Sequence, residues 1–318
     1  MTSRRSDPWW ALKDEAQRGV KWVFQQQKEI SMICTARTIG KAFLLAATLL
    51  CGPQGAGAQS TGQPDFLADR GDAIRTSLLA TYIKPKEFIF YPFYEFTRTS
   101  NYEYKASDLG FVGETDYQGR KVDQEYLIFL GYAFNDSWML EFESALHASV
   151  KFTKADNDPV AAVPREIRES GLGDTEMQLR WRYSKETETR PEITFMFQTE
   201  FPLQRKKKLL GTQAWGFGTG VILTKGYPFG TFSLRGQINH DRGDRETKFG
   251  EYAIDYLKKL SPAWTIALTL EGEESELSIV GEAQYALSRN ATLKLNLGQG
   301  LSKKDRQFAP EIGVLFRF

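Results

Sequence analysis

From residue 86 to the end of the 318-residue chain, apolar and polar side chains alternate with a period of two, interrupted by runs of turn residues. Successive side chains of a strand point to opposite faces, so this alternation predicts strands with one apolar and one polar face. Trp138 to Phe152 is the clearest case. Trp138, Leu140, Phe142, Leu146, Ala148, Val150 and Phe152 fall on one face with Ser144, while Glu141, Glu143, His147, Ser149 and Lys151 fall on the other. Met177, Leu179, Trp181 and Tyr183 oppose Glu176, Gln178, Arg180 and Arg182; Ile193, Phe195, Phe197 and Phe201 oppose Glu192, Thr194, Gln198 and Glu200. The rhythm returns at 232–238, 252–256, 264–270, 277–285, 293–297 and 308–318, and less cleanly at 86–97, 122–134 and 214–224. Twelve strands are expected over 86–318, with no helix of ordinary length. Ahead of them, Leu67, Ile74, Leu78 and Leu79 space as a short amphipathic helix within 66–83, ended by Pro85. Such a helix would pack at the rim of the sheet or enter it as a plug.

Connection lengths alternate too. Asn135-Asp136, Lys225 to Pro228, Ser261-Pro262 and Ser288 to Asn290 are short polar turns, separated by longer polar stretches at 98–121, 153–173, 202–213, 241–248, 272–276 and 301–307. Short turns at one end and long loops at the other are the arrangement of a transmembrane β-barrel with an even strand count and both termini on the periplasmic side. A soluble β-sandwich would alternate as well. Against it stand predicted strands of 10–13 residues, longer than the usual 5–6. Aromatic residues also crowd the strand ends, as at Trp138, Tyr183, Phe201, Trp215, Trp264 and Phe318. The expected fold is therefore an all-β, twelve-stranded antiparallel transmembrane barrel with a short N-terminal periplasmic or plug helix.

Composition sharpens this in two ways. With 41 Lys+Arg against 40 Asp+Glu, the chain lacks the basic excess of a nucleic-acid binder. A mean hydropathy of -0.42 excludes a helical membrane protein but not a barrel, whose lumen is polar. The run Ala42 to Leu50 is too short to span a bilayer as a helix, which takes about 20 residues. Preceded by Arg37 and Lys41 and followed by Ala56-Gly57-Ala58, it has the layout of a secretory signal over 32–58, cleaved between Ala58 and Gln59. Residues 1–31 then form a start-site extension and 59–85 a leader. A cytosolic extension is the alternative, and a lipoprotein anchored at Cys51 is disfavoured by Leu50 before the cysteine. Removing 58 residues takes away both cysteines, Cys34 and Cys51, and leaves 33 basic and 36 acidic residues.

If the apolar face meets lipid, the polar face lines a lumen. Glu141, Glu143, His147, Glu176, Arg180, Arg182, Glu192, Glu200, Arg235, Glu251 and Asp255 are the expected lining, with Glu311 and Arg317 from the last strand. Opposite charges there can pair across neighbouring strands and stiffen the interior, or form a charged constriction. Gly216, Gly218 and Gly220 fall on the inward face of their strand, where missing side chains leave room for a lateral groove or permit a sharp bend. Arg205-Lys206-Lys207-Lys208 lies in a long loop, either simply solvated or in contact with phosphates of lipopolysaccharide. No phosphate loop, nucleotide fingerprint or zinc motif is present, and two histidines with no cysteine after the signal argue against a transition-metal site, so neither cofactor nor metal is expected.

Three resemblances follow from particular residues. The final strand, with Val314, Phe316 and Phe318 on its apolar face and a terminal aromatic, resembles the insertion signal of bacterial outer-membrane barrels. It implies delivery by the barrel-assembly machinery into outer-membrane lipid. His147 and Ser149, two apart on one strand, resemble the His-x-Ser pair of the outer-membrane phospholipase family, where a histidine activates a serine nucleophile. Val150-Lys151 departs from that family's Asn-Gly-Arg continuation, and the alternation predicts that both residues face the lumen, away from lipid. Ser170-Gly171-Leu172-Gly173-Asp174 is similar to the step from outer loop into descending strand in the outer-membrane transporter family of meta-pathway phenol-degradation barrel proteins. In that step the glycines allow tight re-entry, and Asp174 can accept from backbone donors at the strand start. This last resemblance implies a non-enzymatic channel for small-molecule solutes, hydrophobic ones included. A lipid hydrolase using Ser149 and His147, or a structural barrel with binding loops, are the alternatives.

Overall fold

The computed structural model describes residues 63–243, 245–273, 276–302 and 307–318. The start-site extension and signal expected over 1–58 lie outside the described residues. The alternating segments become fifteen strands: β1 (Ile74–Arg75), β2 (Tyr82–Ile83), β3 (Phe88–Tyr104), β4 (Tyr117–Ala133), β5 (Trp138–Thr153), β6 (Glu166–Gly171), β7 (Thr175–Ser184), β8 (Glu192–Glu200), β9 (Gly216–Tyr227), β10 (Gly230–Asp241), β11 (Glu246–Lys259), β12 (Trp264–Glu273), β13 (Glu276–Ala286), β14 (Ala291–Gly300) and β15 (Ala309–Arg317). Twelve of them, β3 to β5 and β7 to β15, form an antiparallel sheet that closes on itself through the β15–β3 and β4–β5 pairings. Closure leaves the barrel wall without an edge strand. The seam joins first strand to last: Phe318 and Phe88 exchange both backbone hydrogen bonds, at 3.0 and 2.9 Å.

Trp138 and Trp181, Trp264 and Tyr285, and Phe232 and Tyr256 stack or tilt against one another on the outside near the end that holds Phe318 and the short turns. Tyr94 with Tyr126, Phe96 with Phe308, and Phe201 with Trp215 do so nearer the other end. Two aromatic belts around an apolar band are the outer surface of a membrane-spanning barrel.

Three departures from the sequence expectation matter. First, residues 66–83 are not a helix. One 3-10 turn (Asp65–Leu67) is followed by a hairpin of two two-residue strands in which Ile74 pairs with Ile83 and Arg75 with Tyr82. Apolar spacing alone could not separate a short helix from a hairpin wrapped on all sides, and both isoleucines are fully buried. Second, β3, β4 and β5 run 16–17 residues and rise beyond the belt. There β6, inside the expected loop 153–173, pairs with the upper half of β5, while β7 pairs with its lower half. Tyr104, Ala106, Leu109, Phe152, Ala155 and Val163 form a small core within this projecting lobe. Third, a bulge interrupts β5: opposite β4, Tyr126 pairs with His147 but Leu127 pairs with Ala145, leaving Leu146 without a partner. One inserted residue swaps the faces of everything beyond it.

Candidate functional site

The lumen is the site, and its lower half is occupied. From Phe66 and Asp69, which lie against the short turns after β9 and β11, the chain places the β1–β2 hairpin inside, fixed to the wall at nearly every polar position. Arg75 makes an ion pair with Asp255 at 3.0 Å, and both side chains are almost fully buried. The Ser77 amide donates to both oxygens of Glu141, at 3.2 and 3.1 Å, and Glu141 pairs with Arg180 at 3.0 Å. Lys294 donates to the Leu79 carbonyl (2.9 Å) and the Thr81 hydroxyl (2.7 Å) while pairing with Glu282 at 3.0 Å. Gln284 donates to the Ala80 carbonyl and Arg317 to the Tyr82 carbonyl. Below the hairpin, Arg70 bridges Glu186 and Glu192, and Arg182 bridges Glu192 and Asp72. Buried charges are tolerated only when paired in this way. In the turn between β7 and β8, Lys185 bonds Asp72 and Asp136; these bonds raise the lysine's pKa, and Lys185 holds the Asp136 carboxyl below its ordinary range.

Close packing of the leader also needs Gly226, because a Cβ there would collide with the Phe66 carbonyl. With Ile74 and Ile83 buried, each contributing roughly 1.5–3 kcal/mol, the segment is an integral floor of the barrel.

Above this floor lies a cavity of about 500 Å³ lined by Ser77 to Leu79 of the hairpin tip and by the upper inward side chains. Among the described residues its wall is strongly acidic: Glu95, Asp123, Glu143, Glu176, Glu251, Glu271 and Glu311 line it together with the cations Lys121 and Arg235. Lys121 is held by Asp123 at 3.1 Å, and Arg235 lies between Glu251 and Glu271. The Tyr91 hydroxyl donates to Glu311 at 2.5 Å. On one side the 201–215 loop folds inward. Its Leu209 and Leu210 are buried, and the Lys208 and Leu209 amides donate to Glu169. A second cavity of about 260 Å³ lies beneath them, shared at Glu95, Lys121 and Asp123 with the first and lined also by Glu125 and Asp174.

Of the expected lining, Glu141, Arg180, Arg182, Glu192 and Asp255 are locked into the floor; Glu143, Glu176, Arg235 and Glu251 line the cavity; Glu200 lies beside Gly216 on the inward face of β9. His147 is a correction. The β5 bulge turns it outward with Ser149, both exposed, and its ring lies 6.4 Å from the outward Tyr126. Asp174 differs as well. Its carboxylate accepts from the Thr212 hydroxyl of the folded loop, while the backbone step at Gly173 and Asp174 pairs with Ala145. The Gly171–Asp174 step thus sits inside a nearly continuous β6–β7 line, opposite the β5 bulge. Gly216, Gly218 and Gly220 do face inward, yet the room they leave is taken: a Cβ at Gly218 would sit 2.5 Å from the Gln237 amide, and one at Gly216 would meet Glu200. At Gly220 a Cβ would meet the Gly236 carbonyl of β10. The hairpin's anchors were missed in the sequence; the signal available was the unusual density of Arg and Thr in 70–81 for a leader.

No protein-family model matches the chain, and no curated protein matches its sequence. Solved structures do match. The COG4313 outer membrane channel from Pseudomonas putida F1 superposes with a TM-score of 0.53 at 13% identity, over 77% of this chain and 100% of that one. A KdgM porin in complex with disordered oligogalacturonate gives 0.45 at 12%, over 72% and 99%. Outer membrane phospholipase A from Escherichia coli gives 0.41 at 8%, over 80% and 98%. At 13% identity the match to the channel is one of fold: the chain is built as an outer-membrane β-barrel.

Proposed function

We propose that this protein is an outer-membrane channel for small solutes, closed from the periplasmic side by its own N-terminal hairpin and favouring cations. One observation carries the reading: an acidic cavity is continuous with the lumen and ends on a floor made of a separate, non-covalently held segment of chain. A rigid structural barrel has no need of a 500 Å³ chamber whose described lining holds more carboxylates than cations. Carboxylates on low-dielectric walls concentrate cations and repel anions. A hydrophobic solute gains nothing from that lining, and side chains and backbone packed against Gly216, Gly218 and Gly220 occupy the space beside them. Passage requires the hairpin to leave its seat.

Planar-bilayer conductance tests this. Refolded residues 59–318 are expected to show little steady current, and the same protein lacking 63–84 a large one with a cation-selective reversal potential in a salt gradient. A deleted protein that folds yet passes no current would sink the channel. Gly226→Val, which crowds the leader at Phe66, should fall between the two.

A second reading is favoured by the outward position of His147 and Ser149, with His147 beside Tyr126 of the outer aromatic belt and Ser149 in the row above it. Among the described residues no hydrogen bond joins them, so the pair lacks the contact that would activate the serine. Lipid hydrolysis by the refolded protein that disappears on Ser149→Ala would establish the enzyme; the channel reading expects no such activity.

A further inference from the structure

Above the outer aromatic belt, the paired rows crossing β3, β4, β5 and β6 change character in order. In the first, Tyr94 pairs with Tyr126 and Tyr126 with His147, all on the outer face. In the next, Phe96, Gln124, Ser149 and Ser170 stand side by side. In the third, Arg98, Val122, Lys151 and Arg168 do so, and Arg120 follows two residues further along β4 on the same face. Arg98 and Arg120 are exposed, and the side chains of Lys151 and Arg168 are 43% and 69% exposed. Successive rows lie roughly 7 Å apart, and the third spans about 14 Å across the strands. Among the described residues of β3–β6, the carboxylates on this face are Glu166, held by Lys151 at 2.7 Å and Arg168 at 2.6 Å, and Glu103 further out. Lys207 of the basic loop adjoins the patch, donating to the Ser170 carbonyl at 3.2 Å.

Aromatic, then hydroxyl and amide, then cationic is the order in which a phosphorylated glycolipid presents its parts: acyl chains, sugar, phosphates. We propose that the outer face of β3–β6 is a docking surface for the phosphorylated glycolipid of the outer leaflet. Its acyl chains lie against Tyr94, Phe96 and Tyr126, its sugar hydroxyls meet Gln124, Ser149 and Ser170, and its phosphates meet Arg98, Lys151, Arg168 and Arg120. Arginine suits this role because its several fixed donors let it hold a phosphate while still touching Glu166. The inference rests on the barrel lying in an outer membrane and not on whether its lumen conducts.

The test uses refolded residues 59–318 in neutral detergent, with a bis-phosphorylated, acylated glucosamine disaccharide as probe and its dephosphorylated form as control. Binding is read by native mass spectrometry, and folding by heat-dependent gel mobility. The variant Arg98→Gln/Lys151→Gln/Arg168→Gln should bind the phosphorylated lipid about 100-fold more weakly, and each single change about fivefold. The single variants carry the test if the triple does not fold. Excess inorganic phosphate should not displace the lipid. Unchanged affinity of the variants, equal binding of the dephosphorylated lipid, or displacement by phosphate would each overturn the proposal. So would a loss confined to Arg205→Gln/Lys206→Gln/Lys208→Gln, which would move the site to the loop. The triple variant should leave the conductance of the hairpin-deleted protein unchanged, separating this proposal from the channel.

Discussion

Glu141 shows how much one side chain carries. Its carboxylate accepts the Ser77 amide of the hairpin and pairs with Arg180, which is 0% exposed. Neutralising it strands a guanidinium in the wall, and breaking a buried pair from one side is costly. Glu141→Gln should destabilise the folded protein by about 3 kcal/mol, measured by guanidinium unfolding in detergent. Glu141→Leu/Arg180→Met, which removes both charges, should lie nearer the parent. An equal loss in the two proteins would mean that packing, not charge, holds this point. The pair's inward facing was legible in the alternation. Its partnership with the hairpin was not, because the contact spans 64 positions and no local pattern encodes it.

At the scale of elements, β5 explains both the success and the failure of the alternation. Its even-numbered apolar residues run without a break from Trp138 to Phe152, save for Ser144, yet they serve two environments. Below the bulge Trp138, Leu140 and Phe142 face lipid; above it Ala148, Val150 and Phe152 turn inward to the core of the projecting lobe. The apolar stripe stays in phase in the sequence while the strand rotates beneath it, so periodicity alone assigns His147 to the wrong side. The one hint was Ser144 and Ala145, the first polar residue on the apolar face and the first small apolar one on the polar face. Facing can be measured directly. Ser149→Cys should react quickly with a bulky, charged maleimide applied to the outer side of proteoliposomes, and Val150→Cys, whose position is 2% exposed, should not. The reverse order would restore the unbulged strand.

For the whole molecule, the number of strands, their order and the two-ended arrangement of turns and loops followed from period-two patterning and turn chemistry, which are local. Closure is not local, and it depends on the last strand. β15 pairs with both β14 and β3, so removing 309–318 would expose two edges at once. That truncation is expected to abolish the heat-resistant compact form seen by gel mobility, whereas deleting 63–84 should preserve it. A compact band from the β15-truncated chain would show that the barrel closes some other way.

The floor of the lumen has a consequence for time as well as for space. The hairpin precedes every barrel strand in the sequence, yet its seat is built from β5, β7, β11, β13, β14 and β15, with Leu79 and Tyr82 bonded to residues 215 and 235 positions away. Contacts so distant form only after the intervening chain is ordered. The segment ahead of the barrel strands must therefore be the last to settle, and every newly closed barrel passes through an interval in which it has walls but no floor.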